Sequence, residues 1–352
     1  MLTRTYRRTA ATALAAAALV TAACGGGGGG DDDEAADADQ TSTTAPAEPA
    51  AGGGPLTGLP IEAARAGRPA LIVKIDNAPM GRPQAGINQA DVVLEEMVEG
   101  GITRLAAVFH SQEPESVGPV RSARTTDILF GAALNRPLFG YSGANAAFAA
   151  QVASSSLVDV GQGASPGDYR REPGRPRTYD LFSSVPKLYD PLPEGAGPPP
   201  ALFRYRPEGQ PSAAAGAAPT TGVSMEYKAN VRTAVDWKWD AGSGTWKRTQ
   251  NGTAHVDADG AQVAPRNVVV QFVTYTDTGQ RDRSGAAVPE ADLIGEGDAW
   301  VFTDGKVVMG RWKKASAEAV TEYLDSAGAP VALTPGQTWI ELPQPGTAKV
   351  AG

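Results

Sequence analysis

Two arginines, three hydroxyl residues and an aspartate lie between Arg121 and Asp127. The apolar run before them predicts a strand and the run after them predicts a helix, so Arg121, Ser122 and Arg124 would lie at a strand-to-helix junction. Guanidinium groups, hydroxyls and the free N–H groups of a first helical turn are suited to binding an anion. In the simpler alternative, Thr125 caps the helix, Asp127 interacts with its dipole, and Arg124 pairs with a nearby acid.

A second polar cluster follows the first predicted strand. Asp76 and Asn77 lie where that strand should end, and Arg82 follows five residues after Asn77. Open α/β sheets place ligand-binding groups at strand ends, so these residues are a second candidate site. Asp and Asn shortly before Pro79 are also ordinary turn formers, and both interpretations stay open.

The next candidate is Glu96, which a period of two places on the same face as Val92 and other apolar residues. A carboxylate on such a face needs a partner. A three-residue loop between the two predicted strands would bring Arg104 opposite Glu96, whereas a two-residue Gly100-Gly101 turn would bring it opposite Met97, beside Glu95 and Glu99. Either register predicts a Glu–Arg pair, so a structural role is favoured over general acid–base catalysis.

Ser142 and Asn145 are the last polar candidates in this half of the chain. The sequence around Ser142 lacks the second glycine of a Gly-x-Ser-x-Gly nucleophile elbow. Nothing local links either histidine, His110 or His255, to Ser142, so a serine hydrolase is not expected. Asn145 lies at the start of a predicted helix, where it would cap the helix or donate a hydrogen bond to a ligand.

Arginine is strongly preferred over lysine in this half. Residues 55–206 contain 13 Arg and only 2 Lys, whereas the rest of the folded chain has 6 Arg and 7 Lys. The planar guanidinium matches carboxylate and phosphate through two-point contacts, although structural ion pairs would also account for the bias. The residues predicted to bind a ligand are Asp76, Asn77, Arg82, Glu96, Arg104, Arg121, Ser122, Arg124, Asp127, Ser142 and Asn145.

Composition excludes several classes of protein. The net charge of −8 combines +3 in residues 1–24, −7 in residues 25–54 and −4 in the remaining 298 residues. A near-neutral body lacks the basic face that nucleic-acid binding requires. One Cys and two His exclude an internal disulfide and a Cys/His zinc site. No phosphate-binding or dinucleotide-binding glycine motif is present, so no cofactor is predicted.

The first 54 residues predict a targeting signal followed by a tether. Residues 1–23 combine a basic start with a short apolar run, which is typical of a signal peptide. Cys24 follows a sequence resembling a bacterial lipobox, and this resemblance implies lipidation of Cys24 and attachment to the extracytoplasmic side of the bacterial cell membrane. Residues 24–54 lack large apolar side chains and predict a disordered tether.

Residues 55–208 predict an N-terminal mixed α/β (or α+β) domain, because short apolar runs alternate with helical patterns. Predicted strands cover residues 70–76, 90–98, 102–110, 117–122 and 137–141. Predicted helices cover residues 126–134 and 144–152, and residues 161–176 predict a long loop. Residues 202–205 are expected to add an edge strand to this domain.

Residues 209–221 predict a linker, and residues 222–346 predict a mostly β C-terminal domain. Strands are expected at residues 267–275, 300–303, 306–312 and 338–340, with a hairpin turn at Asp304 and Gly305. Trp237 and Trp239 should share one face of a strand. The tryptophans of this segment are expected to pack in the core, although a sugar-stacking surface stays open.

Several ordered segments resemble the YerB-like lipoprotein family. In the first half they are residues 71–77, 82–93, 98–104, 117–124 and 141–143, and in the second half residues 267–270, 295–297 and 333–339. The resemblance covers roughly residues 55–343. It implies an extracytoplasmic lipoprotein with two family domains whose biochemical role is not established, so it assigns no catalytic residue.

Three functional hypotheses follow. The first is a membrane-anchored protein that binds an anionic or carbohydrate envelope component through its arginines. The second is an envelope phosphoryl or glycosyl transferase in which Asp76 and Asp127 hold Mg²⁺ while Arg121 and Arg124 neutralise a pyrophosphate. The third is a protein-interaction module, for which the sequence selects no partner.

Overall fold

The computed structural model describes residues 53–190, 192–282 and 285–352. They belong to one compact unit, Pro46–Gly352. The predicted signal peptide, Cys24 and the predicted tether up to residue 52 lie outside the described residues. Within the described part, strands predominate over helices.

The first half of the chain contributes nine strands among the described residues. They are β1 Leu71–Asp76, β2 Val92–Met97, β3 Thr103–Phe109, β4 Leu138–Gly140, β5 Val158–Asp159, β6 Arg170–Arg171, β7 Leu181–Phe182, β8 Arg204–Tyr205 and β9 Ala218–Pro219. The helices described are α1 Ala63–Ala66, α2 Thr125–Gly131, α3 Ala146–Ser154 and α4 Val185–Leu188. Single 3₁₀ turns cover Pro79–Gly81, Ile87–Gln89, Glu99–Gly101, Ala132–Leu134 and Pro166–Asp168.

The second half is almost entirely strands and turns. Its strands are β10 Gly222–Lys228, β11 Arg232–Asp240, β12 Thr245–Gln250, β13 Thr253–Ala254, β14 Asn267–Gln271, β15 Tyr275–Arg281, β16 Ala287–Ala291, β17 Gly295–Thr303, β18 Lys306–Lys314, β19 Glu322–Leu324, β20 Ala332–Leu333, β21 Thr338–Glu341 and β22 Ala348–Ala351. The mixed α/β character of the first half and the β-rich character of the second agree with the sequence prediction.

One large sheet runs through both halves. Its strand order is β19-β18-β17-β14-β21-β2-β3-β1-β4-β5, and β9 pairs with β18 at one side. The strands of the two halves meet at β21, which lies between β14 and β2 and is parallel to both. Trp339 on this strand faces Val268 on β14 and Val93 on β2, and it is fully buried. The two sequence segments therefore share a continuous backbone hydrogen-bond ladder.

Both faces of the large sheet are covered at its central strands. Every residue of β1, β2 and β3 is buried, as expected for strands with apolar layers on each side. One face packs against a second sheet of order β13-β12-β11-β10-β22, through Trp237, Trp246 and Trp339. The other face packs against α2 and α3 and against the segment around Leu293. Burial of these tryptophans confirms their predicted core role.

Most predicted elements form close to their predicted bounds. Asp304 and Gly305 make the turn between β17 and β18 with positive φ values of 54° and 69°, which explains the Asp-Gly sequence there. Trp237 and Trp239 alternate with Lys238 along β11 and share a face; they pack against Trp339 and Trp246, respectively.

Three strand predictions need correction. The predicted edge strand at residues 202–205 does not join the first half's sheet, because β8 pairs with β20 of the second half. Residues 117–122 form only isolated bridges, consistent with Pro119 lacking the N–H that a ladder needs. The predicted strand at 267–275 is two elements, since β14 ends at Gln271 and β15 begins at Tyr275.

Candidate arginine-lined cleft

Six arginines of the described chain line one open cleft with a volume of about 650 Å³. They are Arg104, Arg121, Arg124, Arg171, Arg177 and Arg281. Ser122, Ser142 and Asn145 line the same cleft, so six of the eleven predicted site residues meet there. Arg171, Arg177 and Arg281 were not predicted, because they lie in loops or at strand ends without a local motif.

Backbone hydrogen bonds fix the segment that carries the central residues. The N–H of Val120 donates to Leu181 O at 2.7 Å, and that of Arg121 donates to Lys74 O at 2.8 Å. Ser142 N–H then donates to Arg121 O at 2.9 Å. The segment is thus held between β1, β7 and the loop after β4, which brings the side chains of Arg121 and Ser142 to one place.

Arg124 is saturated by neighbouring groups. Its Nε and Nη2 each lie 2.6 Å from one of the two carboxylate oxygens of Glu99, and its Nη1 donates to Ala123 O at 2.7 Å. The α2 N-terminus is capped by Asp127, whose Oδ2 accepts from the Arg124 N–H at 2.7 Å; the Thr125 hydroxyl forms no cap. Arg124 therefore has mainly a structural role at the cleft wall.

Arg104 is more weakly paired than Arg124. The predicted three-residue register is present, with Arg104 opposite Glu96 across β2 and β3, but the two side chains do not pair. Arg104 Nη1 donates to Ser122 O at 3.1 Å, Nη2 lies 3.8 Å from Glu99, and the buried Nε has no hydrogen-bond partner. Burial, followed by the charges of Arg124 and Arg121, lowers the pKa of Arg104 to about 10.

Asp76 lies behind Arg121 and does not line the cleft. Arg121 Nε lies 2.6 Å from Asp76 Oδ2, without the alignment of a hydrogen bond, and Nη1 donates to Thr178 O at 3.2 Å. Asp76 Oδ1 accepts from the Ala78 N–H at 2.6 Å. The carboxylate is buried, so it orients the guanidinium and leaves the cleft side to arginine.

The outer arginines lie around the rim. Arg171 Nη1 is 2.5 Å from Asp180, and Arg281 Nη1 is 3.0 Å from Asp277. Arg177 is exposed and forms no hydrogen bond or ion pair with any residue the structure describes. Asp282 is the one acid among the lining residues. The cleft surface is therefore cationic, with most paired acids behind the arginines.

The polar residues between the arginines offer donors and acceptors. Asn145 caps α3 as predicted, since its Oδ1 accepts from the Phe148 N–H at 2.9 Å. The hydroxyls of Ser122 and Ser142 make no hydrogen bond within the described chain. His110, whose pKa is lowered to about 4 mainly by burial, bonds to Arg68 O away from the cleft. No base thus lies beside Ser142 in the described part.

Glu96 and Asp127 lie outside the cleft, in a buried group with Lys74. Lys74 Nζ is in close contact with Glu96 Oε1 and lies 2.7 Å from Asp127 Oδ1. All three side chains are fully buried. Asp76 and Asp127 are thus held by different cations, and among the described residues no group of three His, Cys, Asp or Glu is arranged to hold a metal ion.

Asn77 belongs to a polar network between the two sheets. Its Nδ2 donates to Glu95 Oε1 at 3.0 Å. Arg248 Nη2 lies 2.6 Å from Glu95 Oε2, and its Nε lies 3.8 Å from Glu341. Tyr227 and Trp237 donate to the two Glu341 oxygens at 2.7 and 2.8 Å, respectively. We call Glu95, Arg248 and Glu341, together with the donors Asn77, Tyr227 and Trp237, the inter-sheet network.

Arg82 lies near this network and does not line the cleft. Its pKa is lowered by burial and by the charge of Arg248, and its Nε is buried without a hydrogen-bond partner. His255 joins Arg248 to Gln84, at 2.6 and 2.8 Å, and burial lowers its pKa. No local pattern in the sequence predicts the inter-sheet network, because its members come from distant parts of the chain.

Two segments of the chain match the two domains of one known protein family. The N-terminal domain of a family described as protein of unknown function (DUF3048) matches residues 56–196, and its C-terminal domain matches residues 223–340. The chain belongs to the DUF3048 family. In this DUF3048 protein the cleft is shared by both matched parts, since Arg281 and Val288 come from the C-terminal one and the other lining arginines from the N-terminal one.

Relatives in Bacillus subtilis agree with the DUF3048 assignment. The chain is 29% identical over 300 residues to "Putative lipoprotein YerB" of strain 168, covering 82% of this chain and 85% of the relative. The crystal structure of YerB protein from Bacillus subtilis matches with a TM-score of 0.72 and 25% identity, covering 85% of this chain and 99% of that one. These matches bear out the predicted YerB-like family.

No helix among residues 53–190, 192–282 and 285–352 combines the length and the apolar character needed to cross a bilayer.

Proposed function

We propose that this protein is an extracytoplasmic lipoprotein that binds an anionic, sugar-containing component of the cell envelope in the arginine-lined cleft. The observation that carries the proposal is the gathering of six arginines around one cleft of about 650 Å³. Their paired acids Asp76, Glu99, Asp180 and Asp277 do not line it. Guanidinium groups that are held from behind are preorganised for an anion, which lowers the entropic cost of binding.

The lining residues suggest how such a ligand would be held. Arg177 and the exposed edge of Arg121 would contact phosphate or carboxylate, while Arg124 is already saturated by Glu99. The free hydroxyls of Ser122 and Ser142 would bond to sugar hydroxyls. We propose binding without turnover. The described residues that line the cleft include neither histidine, and the described residues contain no cluster of His, Cys, Asp and Glu arranged to hold a metal ion.

Titration with inorganic pyrophosphate and with glucuronic acid tests the cleft. We expect saturable binding to at least one of them, weakened about tenfold or more by Arg177→Ala, since a charged hydrogen bond contributes about 1.5–3 kcal/mol. Arg121→Lys should also weaken binding while keeping the charge beside Asp76, because lysine cannot make the two-point contact. The measurement is isothermal titration calorimetry at constant ionic strength.

The control for this titration is Arg311→Ala. Arg311 is an exposed arginine on β18 paired with Glu296 and Asp298, and it does not line the cleft. It should leave the affinity unchanged. Absence of saturable binding to both probes, or equal losses in the Arg177 and Arg311 variants, would contradict the proposed site.

The anchor is tested separately. The short apolar leader, the lipobox-like sequence before Cys24 and the relative named "Putative lipoprotein YerB" support lipidation at this position. We expect Cys24→Ser to release the protein from the membrane fraction, because the acyl chains supply the attachment. Cell fractionation with immunoblotting measures this, and unchanged membrane association of the variant would contradict the anchor.

A further inference from the structure

Lys74, Glu96 and Asp127 form a buried charged group that does not line the arginine-lined cleft. Lys74 comes from β1, Glu96 from β2 and Asp127 from α2, so the fold brings them together from three elements. Lys74 Nζ lies 2.7 Å from Asp127 Oδ1 and is also in close contact with Glu96 Oε1. Each side chain is 0% exposed.

The identity of the cation at this position is informative. Residues 55–206 contain 13 Arg and 2 Lys, and most ion pairs of this half use arginine. Its fully buried cation is nevertheless a lysine. A primary amine becomes a nucleophile once it passes a proton to a neighbouring base, whereas a guanidinium stays protonated. Lysine therefore supplies a reactivity here that the preferred arginine would not.

We propose that Lys74 and Asp127 condense to form an intramolecular amide bond, with Glu96 as the proton-transferring residue. The Lys74 Nζ attacks Asp127 Cγ, so that the Nζ–Cγ bond forms and the Cγ–Oδ1 bond breaks. Glu96 passes two protons from Nζ to Oδ1, which leaves as water, and Glu96 returns to its starting state. The ammonium and carboxylate are thereby replaced by one neutral amide, and no oxidant, reductant or further reactant is needed.

The surrounding contacts suit this reaction. Asp127 Oδ2, the oxygen that would stay as the amide carbonyl, already accepts from the Arg124 N–H at 2.7 Å, which would stabilise the negative charge that develops on it. Burial, together with the charge of Asp127, raises the pKa of Glu96, so this carboxyl can hold a proton for transfer. Its buried Oε2 forms no regular hydrogen bond.

Burial also favours the amide as the final state. Two carboxylates and an ammonium removed from water lose hydration that their mutual attraction only partly restores. Condensation removes two of the three charges. Because the site excludes solvent, water that leaves does not readily return to hydrolyse the product, and the fixed positions of amine and carboxyl replace a bimolecular encounter.

Peptide mass spectrometry of the purified full-length chain tests the bond. After denaturation and tryptic digestion, we expect one cross-linked species that contains Lys74 and Asp127 and is lighter than its two peptides by one water molecule. Trypsin should not cleave after Lys74, because its side chain is acylated. Recovery of both peptides at their sequence masses from the folded protein would overturn the proposal.

Two sets of variants separate the amide from an ordinary ion pair. Asp127→Asn can condense with loss of ammonia and should give a cross-linked product with the same mass as the wild-type product. Lys74→Arg and Glu96→Gln should give only linear peptides. If Glu96→Gln fails to fold, the wild-type and Asp127→Asn masses still decide the question. A cross-link that persists in Lys74→Arg would also overturn the assignment.

Discussion

Replacing Arg248 by alanine is expected to lower the free energy of unfolding by about 3–5 kcal/mol, since it leaves the buried Glu95 carboxylate without its cation. Arg248 is fully buried, with Nη2 2.6 Å from Glu95 and Nε 3.8 Å from Glu341. It also bonds to Gln250 and His255. Urea unfolding followed by tryptophan fluorescence measures the change, because Trp237 and Trp339 lie beside the guanidinium.

The matched control for Arg248 is Arg232→Ala. Arg232 is also on the second sheet and paired with a glutamate, Glu226, but this pair is exposed. Such a pair contributes about 0–1 kcal/mol, so the control should unfold almost as the wild type does. Similar unfolding midpoints for the two variants would contradict the importance assigned to the inter-sheet network.

The second large effect is a dependence of stability on pH that originates at Glu341. Burial, followed by the charge of Glu95, raises the pKa of this carboxyl from 4.5 to about 8 in the folded state. Between about pH 4.5 and 8 the folded chain therefore binds more protons at this group than the unfolded chain does. Its contribution to stability is present at low pH and is lost as the pH rises through that range, by at most about 1.4 kcal/mol per unit.

Comparison with Glu341→Gln isolates this contribution. Other groups also titrate, including His110 and His255, whose lowered pKa values give the opposite trend at acidic pH. The difference in unfolding free energy between wild type and variant removes these shared terms. Because glutamine does not titrate, we expect the stability of the wild type relative to the variant to fall as the pH rises from 5 toward 8. A difference between the two proteins that does not change with pH would contradict the raised pKa.

Local patterns predicted much of the fold because the signals are short-range. The apolar runs of β1, β2 and β3, the Asp304-Gly305 turn and the Asn145 cap each depend on a few neighbouring residues. The position of β21 depends on pairing with two strands from different parts of the chain, and no local pattern specifies that pairing. For the same reason the sequence suggested separate domains and not a shared sheet.

The candidate site was predictable where its residues are close in the chain. Arg121, Ser122 and Arg124 formed a visible cluster, and all three line the cleft. Arg281 reaches it only because the β15–β16 hairpin lies against α2, where the Ala291 N–H donates to Thr126 Oγ1 at 3.1 Å. The pairing of Arg248 with Glu95 was likewise not predictable from local patterns, because the two residues are 153 positions apart in the chain.

Residue type alone also does not show which arginines are already paired within the protein and which are available to a ligand. Arg124 and Arg177 are equally suited to an anion in sequence, but Arg124 is bound at both edges by Glu99 and Ala123 while Arg177 is exposed. Asp127 and Glu96 are polar residues beside the cluster, but the fold turns them toward Lys74 in the interior. Such differences arise from tertiary packing.

The place of β21 in the large sheet sets the order in which the chain can be completed. Translation delivers β2 long before Thr338–Glu341, so one side of β2 has no partner strand until the chain has been made as far as residue 338. Open strand edges of this kind attract other extended chains. A polypeptide that is cut short ahead of residue 338 would keep that edge permanently open and would be prone to pair with other extended chains.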